Sequence, residues 1–159
     1  IFDDSYLQLQ INEAGGFTYE EGIKELLRHD PDVIMIGEIR DPVTARMLLR
    51  CALSGHLIFT TIHAKCCTEA IKRLNEFGLH NEELYHTLSA VCAQRLYKKN
   101  GTDERVCIYE ILEQRELDAY FHEGQVPKEH HDIFEEIQAA VSKGIISQKE
   151  AVIDLPYAQ

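Results

Sequence analysis

At 159 residues the chain is long enough to bury a core as one domain, or as one modest domain with an appendage. Its formal net charge of −11 excludes a phosphate-tracking surface built from clustered Lys and Arg, so no direct nucleic-acid binding is expected. No apolar run approaches the roughly 18 residues of a membrane span, so contact with a membrane is expected only through a partner.

The chain opens on Ile1-Phe2-Asp3-Asp4 without a Met, and its first residue is expected to fall partway along a longer protein. Residues 5–11, "SYLQLQI", alternate apolar and polar and predict a half-exposed strand closed by Gly15-Gly16. Thr18 with Glu21 makes a capping box, and Tyr19, Ile23, Leu26 and Leu27 give a helix its apolar face before Pro31. Val33 to Ile36 is apolar at every position and predicts a central strand buried on both faces. Asp41 and Pro42 suit the N-cap and first turn of a second helix, with apolar Val43, Met47 and Cys51 on one side and Gly55 as its stop. A second buried strand, Leu57 to Ile62, follows and ends at His63. Strand, helix and strand with this spacing predict a parallel pair, beyond whose carboxyl ends ligands sit in open α/β sheets.

Helices are then predicted near 67–77 and 82–97, the second from Leu84, Leu88, Val91 and Cys92. After Asn100-Gly101 comes a short strand, Val106 to Ile111. From Glu113 onward the chain is acidic and helical, with Ile133, Ile137, Ala140 and Val141 as a stripe and Ser147 with Glu150 as a further capping box. The change of composition places a boundary near 112: residues 1–112 form an α/β portion and 113–159 a small helical C-terminal subdomain.

Glu38 and His63 fall at strand ends. A strand-end Glu beside Gly37, where no side chain blocks approach, can hold Mg²⁺ through water or polarise an attacking water; it can equally cap the helix after Pro42. Asp41 reads as the cap. Arg40 can reach a phosphate oxygen or pair with a neighbouring acid. His56 and His63 bracket one strand, either as satisfied hydrogen-bonding residues or as members of a polar network that senses a phosphate. His63, Cys66 and Cys67 lack the ligand spacing of structural zinc, and His130-His131 reads as solvated. The odd number of cysteines, without a CxxC pair, reads as reduced thiols in a cytoplasmic protein. No GxxxxGK[ST] occurs in the 159 residues, so the chain by itself is not expected to bind ATP well.

The runs "LLRHDPDVIMIGEIRD", "SGHLIFTTIHAKCCTEAIKRLNEFGL" and "AVCAQRLYKKNGTDERVCIYEIL" resemble, in this order, the atypical Walker B segment, the His box and the AQRL segment of the hexameric ATPases of type II secretion, type IV pilus assembly and retraction, and competence pili. The resemblance covers roughly residues 20–112. It implies a RecA-like P-loop NTPase core whose first strands are missing here, with ATP and Mg²⁺ bound by the complete protein. It carries the Walker B glutamate, acting at Mg²⁺ and water, to Glu38, the following arginine to Arg40, and the His-box histidines to His56 and His63. The implied partners are further copies of the chain in a hexamer and a polytopic platform protein at the cytoplasmic face of the membrane. A sheet without its phosphate-loop strand is also expected to carry a bare edge.

Ala64 and Lys65 stand where the family often has Thr and Asn. The link between Leu96 and Val106 carries none of the four cysteines of a zinc subdomain that the secretion branch often has there. Together with "LRHDPD", "FGL" and the compact acidic tail, this looks most like the ComGA-type competence ATPases of Gram-positive bacteria, which drive a pseudopilus for DNA uptake. A retraction or type II secretion ATPase is the alternative within the family. From a different class come a non-catalytic assembly or platform-binding module and a zinc-stabilised regulatory fragment.

Overall fold

The structure, a computed structural model, describes residues 5–155; the last four residues of the acidic tail lie outside it. Packing divides the described residues into two compact units, residues up to 62 with 74–87, and residues 63–73 with those from 88 on. Residue 112, where the composition changes, lies inside the second unit.

In the first unit residues 5–11 form no strand. They lead, largely exposed, into a short 3-10 turn, Glu13–Gly15, closed by a single bridge between Asn12 and Phe17. Alternation alone does not hold a strand that has no partner to complete its hydrogen bonds. Helix α1 (Tyr19–Leu27) starts on the expected capping box, Thr18 Oγ1 accepting from Glu21 N at 3.3 Å and Glu21 Oε2 accepting from Thr18 N at 3.2 Å.

Strand β1 (Val33–Ile36) and strand β2 (Leu57–Thr60) pair in parallel, Val33 opposite Leu57 and Ile36 opposite Thr60, with α2 (Pro42–Leu53) as the crossover. The parallel pair is as expected, but its burial is not. Ile34 and Ile36 are buried, whereas Val33 (52 %), Met35 (75 %) and Phe59 (55 %) face outward. β2 also stops at Thr60, short of Ile62. Among the described residues this sheet has two strands, and only one of its faces is covered.

The inward side of α2 is Thr44, Ala45, Leu48, Leu49 and Cys51, and of the apolar Val43, Met47 and Cys51 only Cys51 is buried. Pro42 opens the helix and Gly55 follows it at φ +98°, a left-handed conformation that an L side chain resists. Helix α4 (Asn81–Thr87) packs on α2, where Arg46 reaches Glu83 at 2.7 Å.

The second unit takes in the start of α3 (Cys67–Glu76). The helix expected over 82–97 ends at Thr87, and Val91–Lys98 is strand β3, antiparallel to β4 (Arg105–Leu112). Leu84, Leu88 and Val91 mimic a helical stripe, but the alternation along 91–98 finds a partner strand, and pairing outweighs the local pattern. Gly101, at φ +74°, lies in the closing loop, which is tied by Lys99 N donating to Glu104 O at 2.9 Å.

Helices α5 (Gln114–Glu123), α6 (Ile133–Ser142) and α7 (Gln148–Ala151) complete the unit. The expected stripe of α6 enters the core: Ile133, Ile137 and Ala140 join Tyr97, Ile108, Ile146 and Ala151, with Val141 partly buried against them. Ser147 accepts from Glu150 N at 3.3 Å, the forward half of the expected box.

Candidate functional site

β1 ends at Ile36, and the next residues turn across the carboxyl end of the two-stranded sheet. Two bonds continue past the ladder and hold this turn: Thr61 Oγ1 donates to Gly37 O at 2.6 Å, and Ile39 N donates to Thr61 O at 2.9 Å. Ile39 is buried, so Glu38 stands on a short backbone arch pinned on both sides. A Cβ placed on Gly37 would meet nothing within 4 Å, so the approach past that residue is open. Nothing in the sequence "FTTI" marks which of its two threonines, Thr60 or Thr61, meets the glycine carbonyl.

Arg40 Nε donates to Glu38 Oε2 at 2.9 Å, with Glu38 at 19 % side-chain exposure and Arg40 at 68 %. This is the pairing alternative for Arg40. The hydrogen bond to Glu38, and then its charge, raise the guanidinium pKa further.

Asp41 is the helix cap: Oδ1 accepts from Thr44 N at 2.8 Å and Oδ2 from Thr44 Oγ1 at 2.9 Å. Glu38 is therefore not the cap of α2. The Thr44 backbone bond, working against partial burial, holds the Asp41 carboxyl below its ordinary pKa. Asp41→Ala is expected to cost about 1 kcal/mol at neutral pH. A lowered folded-state pKa means that the contribution is fully present above the unfolded value of about 3.9 and is lost as pH falls through the folded one. Denaturant unfolding of wild type and Asp41→Ala should thus differ at pH 7 and converge in acid.

His56 lies at the other end of the sheet. It precedes Leu57, whose N–H donates to Asp32 O at 3.0 Å, and its Nδ1 lies 3.0 Å from both Cys51 O and Ser54 Oγ. There it satisfies the C-terminus of α2, with a four-residue strand, about 13 Å, between it and the Glu38 end. His63 is exposed in the segment between β2 and α3, and belongs to the second unit. The structure thus brings Glu38 and Arg40 together and sets His56 apart from them.

One further side chain departs from expectation. His130 is not solvated: it is 9 % exposed, with Nε2 3.3 Å from Oε1 of the buried Glu110, whereas His131 is exposed. Glu110 is buried beside Ile108 and Leu112 on one face of β4, and its role is not marked by the sequence around it.

A hydrated Mg²⁺ takes one or two carboxylates and fills the rest of its shell with water and phosphate oxygens. Glu38, a hard oxygen donor at an open strand end, fits that role. Among the described residues no three His, Cys, Asp or Glu side chains converge to hold a metal by themselves.

A parallel strand–helix–strand unit with a carboxylate at the strand end defines an α/β protein with its candidate site at the carboxyl edge of the sheet. Residues 2–153 match the sequence profile of the family described as "Type II/IV secretion system protein", and the chain belongs to that family. It is 36% identical over 159 residues to the competence protein ComGA of Bacillus subtilis, covering 90% of this chain and 44% of that protein. It is 52% identical over 101 residues to ComGA of Streptococcus pneumoniae, covering 64% of this chain and 32% of that protein. The type IV pilus assembly ATPase PilB of Thermus thermophilus is 40% identical over 92 residues, 58% of this chain and 10% of that protein. The chain therefore spans less than half the length of these relatives. In fold it is similar to the X-ray structure of the Legionella pneumophila ATPase DotB, with a TM-score of 0.70 and 23% identity over 87% of this chain and 42% of that one.

Proposed function

We propose that the chain is part of a RecA-like motor ATPase that hydrolyses Mg-ATP to drive assembly of a type IV pilus-like pseudopilus in competence. The observation that carries this reading is the family match along residues 2–153, which spans the turn that presents Glu38. The competence proteins among the relatives favour DNA uptake as the purpose over retraction or secretion. The complete protein works as a hexamer at the cytoplasmic face of the membrane, against a polytopic platform protein. Among the described residues no helix is long and apolar enough to cross a membrane.

In this reading Glu38 would hold Mg²⁺ through water and orient the attacking water, accepting its proton at the carboxylate. Mg²⁺, when bound, neutralises charge developing on the phosphate oxygens. The Thr61 bond to Gly37 O fixes the arch, and Arg40 fixes the carboxylate rotamer. His63 belongs to the segment that follows the second strand and takes part in sensing nucleotide state. His56 acts at the amino end, by holding the C-terminus of α2. The test is Mg²⁺-dependent ATP hydrolysis by the complete protein, compared with its Glu38→Gln variant; equal turnover in both would overturn the reading.

A further inference from the structure

Two polar relays in the second unit run from the C-terminal helices to the segment that carries His63. The first passes through Glu110, whose side chain is 1 % exposed. Its Oε2 accepts from Cys67 N at 3.1 Å and from Ile133 N at 3.3 Å, and its Oε1 faces His130 Nε2. Cys67 and Ile133 are the first residues of α3 and α6, so one carboxylate oxygen serves the leading amides of two helices, where backbone donors lack partners and the helix dipoles are positive. The second relay starts at Asp154, which accepts from Arg95 Nε at 2.9 Å and from Tyr97 Oη at 2.6 Å. Arg95 Nη2 in turn donates to Lys65 O at 2.9 Å.

Lys65 and Cys67 are therefore gripped by two side chains of the β3–β4 hairpin, and each gripping side chain has its other partner in the C-terminal region. Glu69 adds a local clasp on the Lys65 N–H. We infer that Glu110 and Arg95 are positioning residues, which hold the backbone of residues 63–67 by way of the C-terminal region. Asp154 gives Arg95 the carboxylate that aims its guanidinium at the Lys65 carbonyl, and the leading amide of α6 helps hold the Glu110 oxygen that meets Cys67 N.

The environment supports a fixed arrangement. Burial works upward on Asp154, but the hydrogen bonds from Tyr97 and Arg95, with the Arg95 charge, hold its carboxyl below the ordinary range. Burial, and then the Glu110 charge, push the Cys67 thiol up to about 12, which keeps it a neutral donor to Val91 O at 3.2 Å.

The consequence for catalysis rests on the motor reading, through His63; the consequence for the backbone does not. Amide hydrogen exchange should be followed in Asp154→Ala, Tyr97→Phe and Glu110→Gln forms of the complete protein. Asp154→Ala is expected to speed exchange across 63–69 about fivefold, as for one lost hydrogen bond, with 106–112 still protected. Tyr97→Phe keeps the Arg95–Asp154 pair and should leave 63–69 unchanged, which a merely structural role for Asp154 would not predict. Glu110→Gln should loosen 63–69 and 132–135 together; if it fails to fold, the first two variants still decide. Unchanged exchange at 63–69 in Asp154→Ala, or equal acceleration everywhere, would overturn the inference. In ATP turnover, Asp154→Ala should lower kcat and leave KM for ATP unchanged. Should wild type hydrolyse no ATP, the motor reading fails while the exchange result still stands.

Discussion

Glu38→Gln is expected to lower ATP turnover by the complete protein about 10²- to 10⁴-fold, the range for removing a general base, while leaving the KM for ATP nearly unchanged. The amide keeps the size of the carboxylate but cannot take a proton or serve as an anionic partner to hydrated Mg²⁺. Arg40 would lose its ion pair with Oε2, so a compensating Arg40→Gln should not restore turnover, which separates loss of chemistry from a stranded guanidinium. Steady-state hydrolysis, with sedimentation to verify that the assembly is preserved, decides the matter. Loss of assembly together with turnover would instead make Glu38 a structural residue.

The second large effect is on stability. Ile137→Ala is expected to cost about 2–5 kcal/mol, because Ile137 is fully buried among Tyr97, Ile108, Ile133 and Ile146, and truncation leaves a cavity there. Ile153→Ala, at an 85 % exposed position, should stay within about 0.5 kcal/mol of wild type. Urea unfolding measures both. Equal midpoints for the two variants would mean that α6 does not close this core.

Much of the fold was legible because local chemistry and tertiary packing agree. The Thr18–Glu21 box, the Asp41 cap, the parallel pairing of 33–36 with 57–60 and the α6 stripe each needed only residue type and spacing. Where the two disagree, reading fails. Leu84, Leu88 and Val91 keep a helical period into a strand, since a partner strand lies beyond any window of local sequence. "SYLQLQI" alternates without a neighbour to pair with. The apolar run of β1 predicts burial on both faces, but burial depends on what covers a sheet, and its outer face here is exposed.

The site was legible in part for the same reason. The place of Glu38 just past a strand end follows from the apolar run and glycine before it, and pairing with a neighbouring acid is one of the two fates open to Arg40. Thr61 and Glu110 act through backbone atoms far away in sequence, which no spacing encodes. His56 and His63 look equivalent on paper because they flank one strand, yet a parallel strand has two chemically different ends. His130 looked like one more polar residue in an acidic tail until the fold placed it against Glu110.

The β3–β4 hairpin also bears on the order in which the chain acquires structure. Lys98 meets Arg105 across one short loop, whereas Val33 waits for Leu57 on the far side of a whole helix. Loop closure costs entropy for any contact, so the hairpin, of a kind that forms in about 1–10 μs in isolated peptides, is expected to form ahead of the parallel pair. Pulse-labelled exchange during refolding should therefore find the β4 amides protected ahead of those of β1; the reverse order would assign nucleation to the crossover instead. During synthesis the parallel pair would then leave the ribosome ahead of the hairpin and yet form after it.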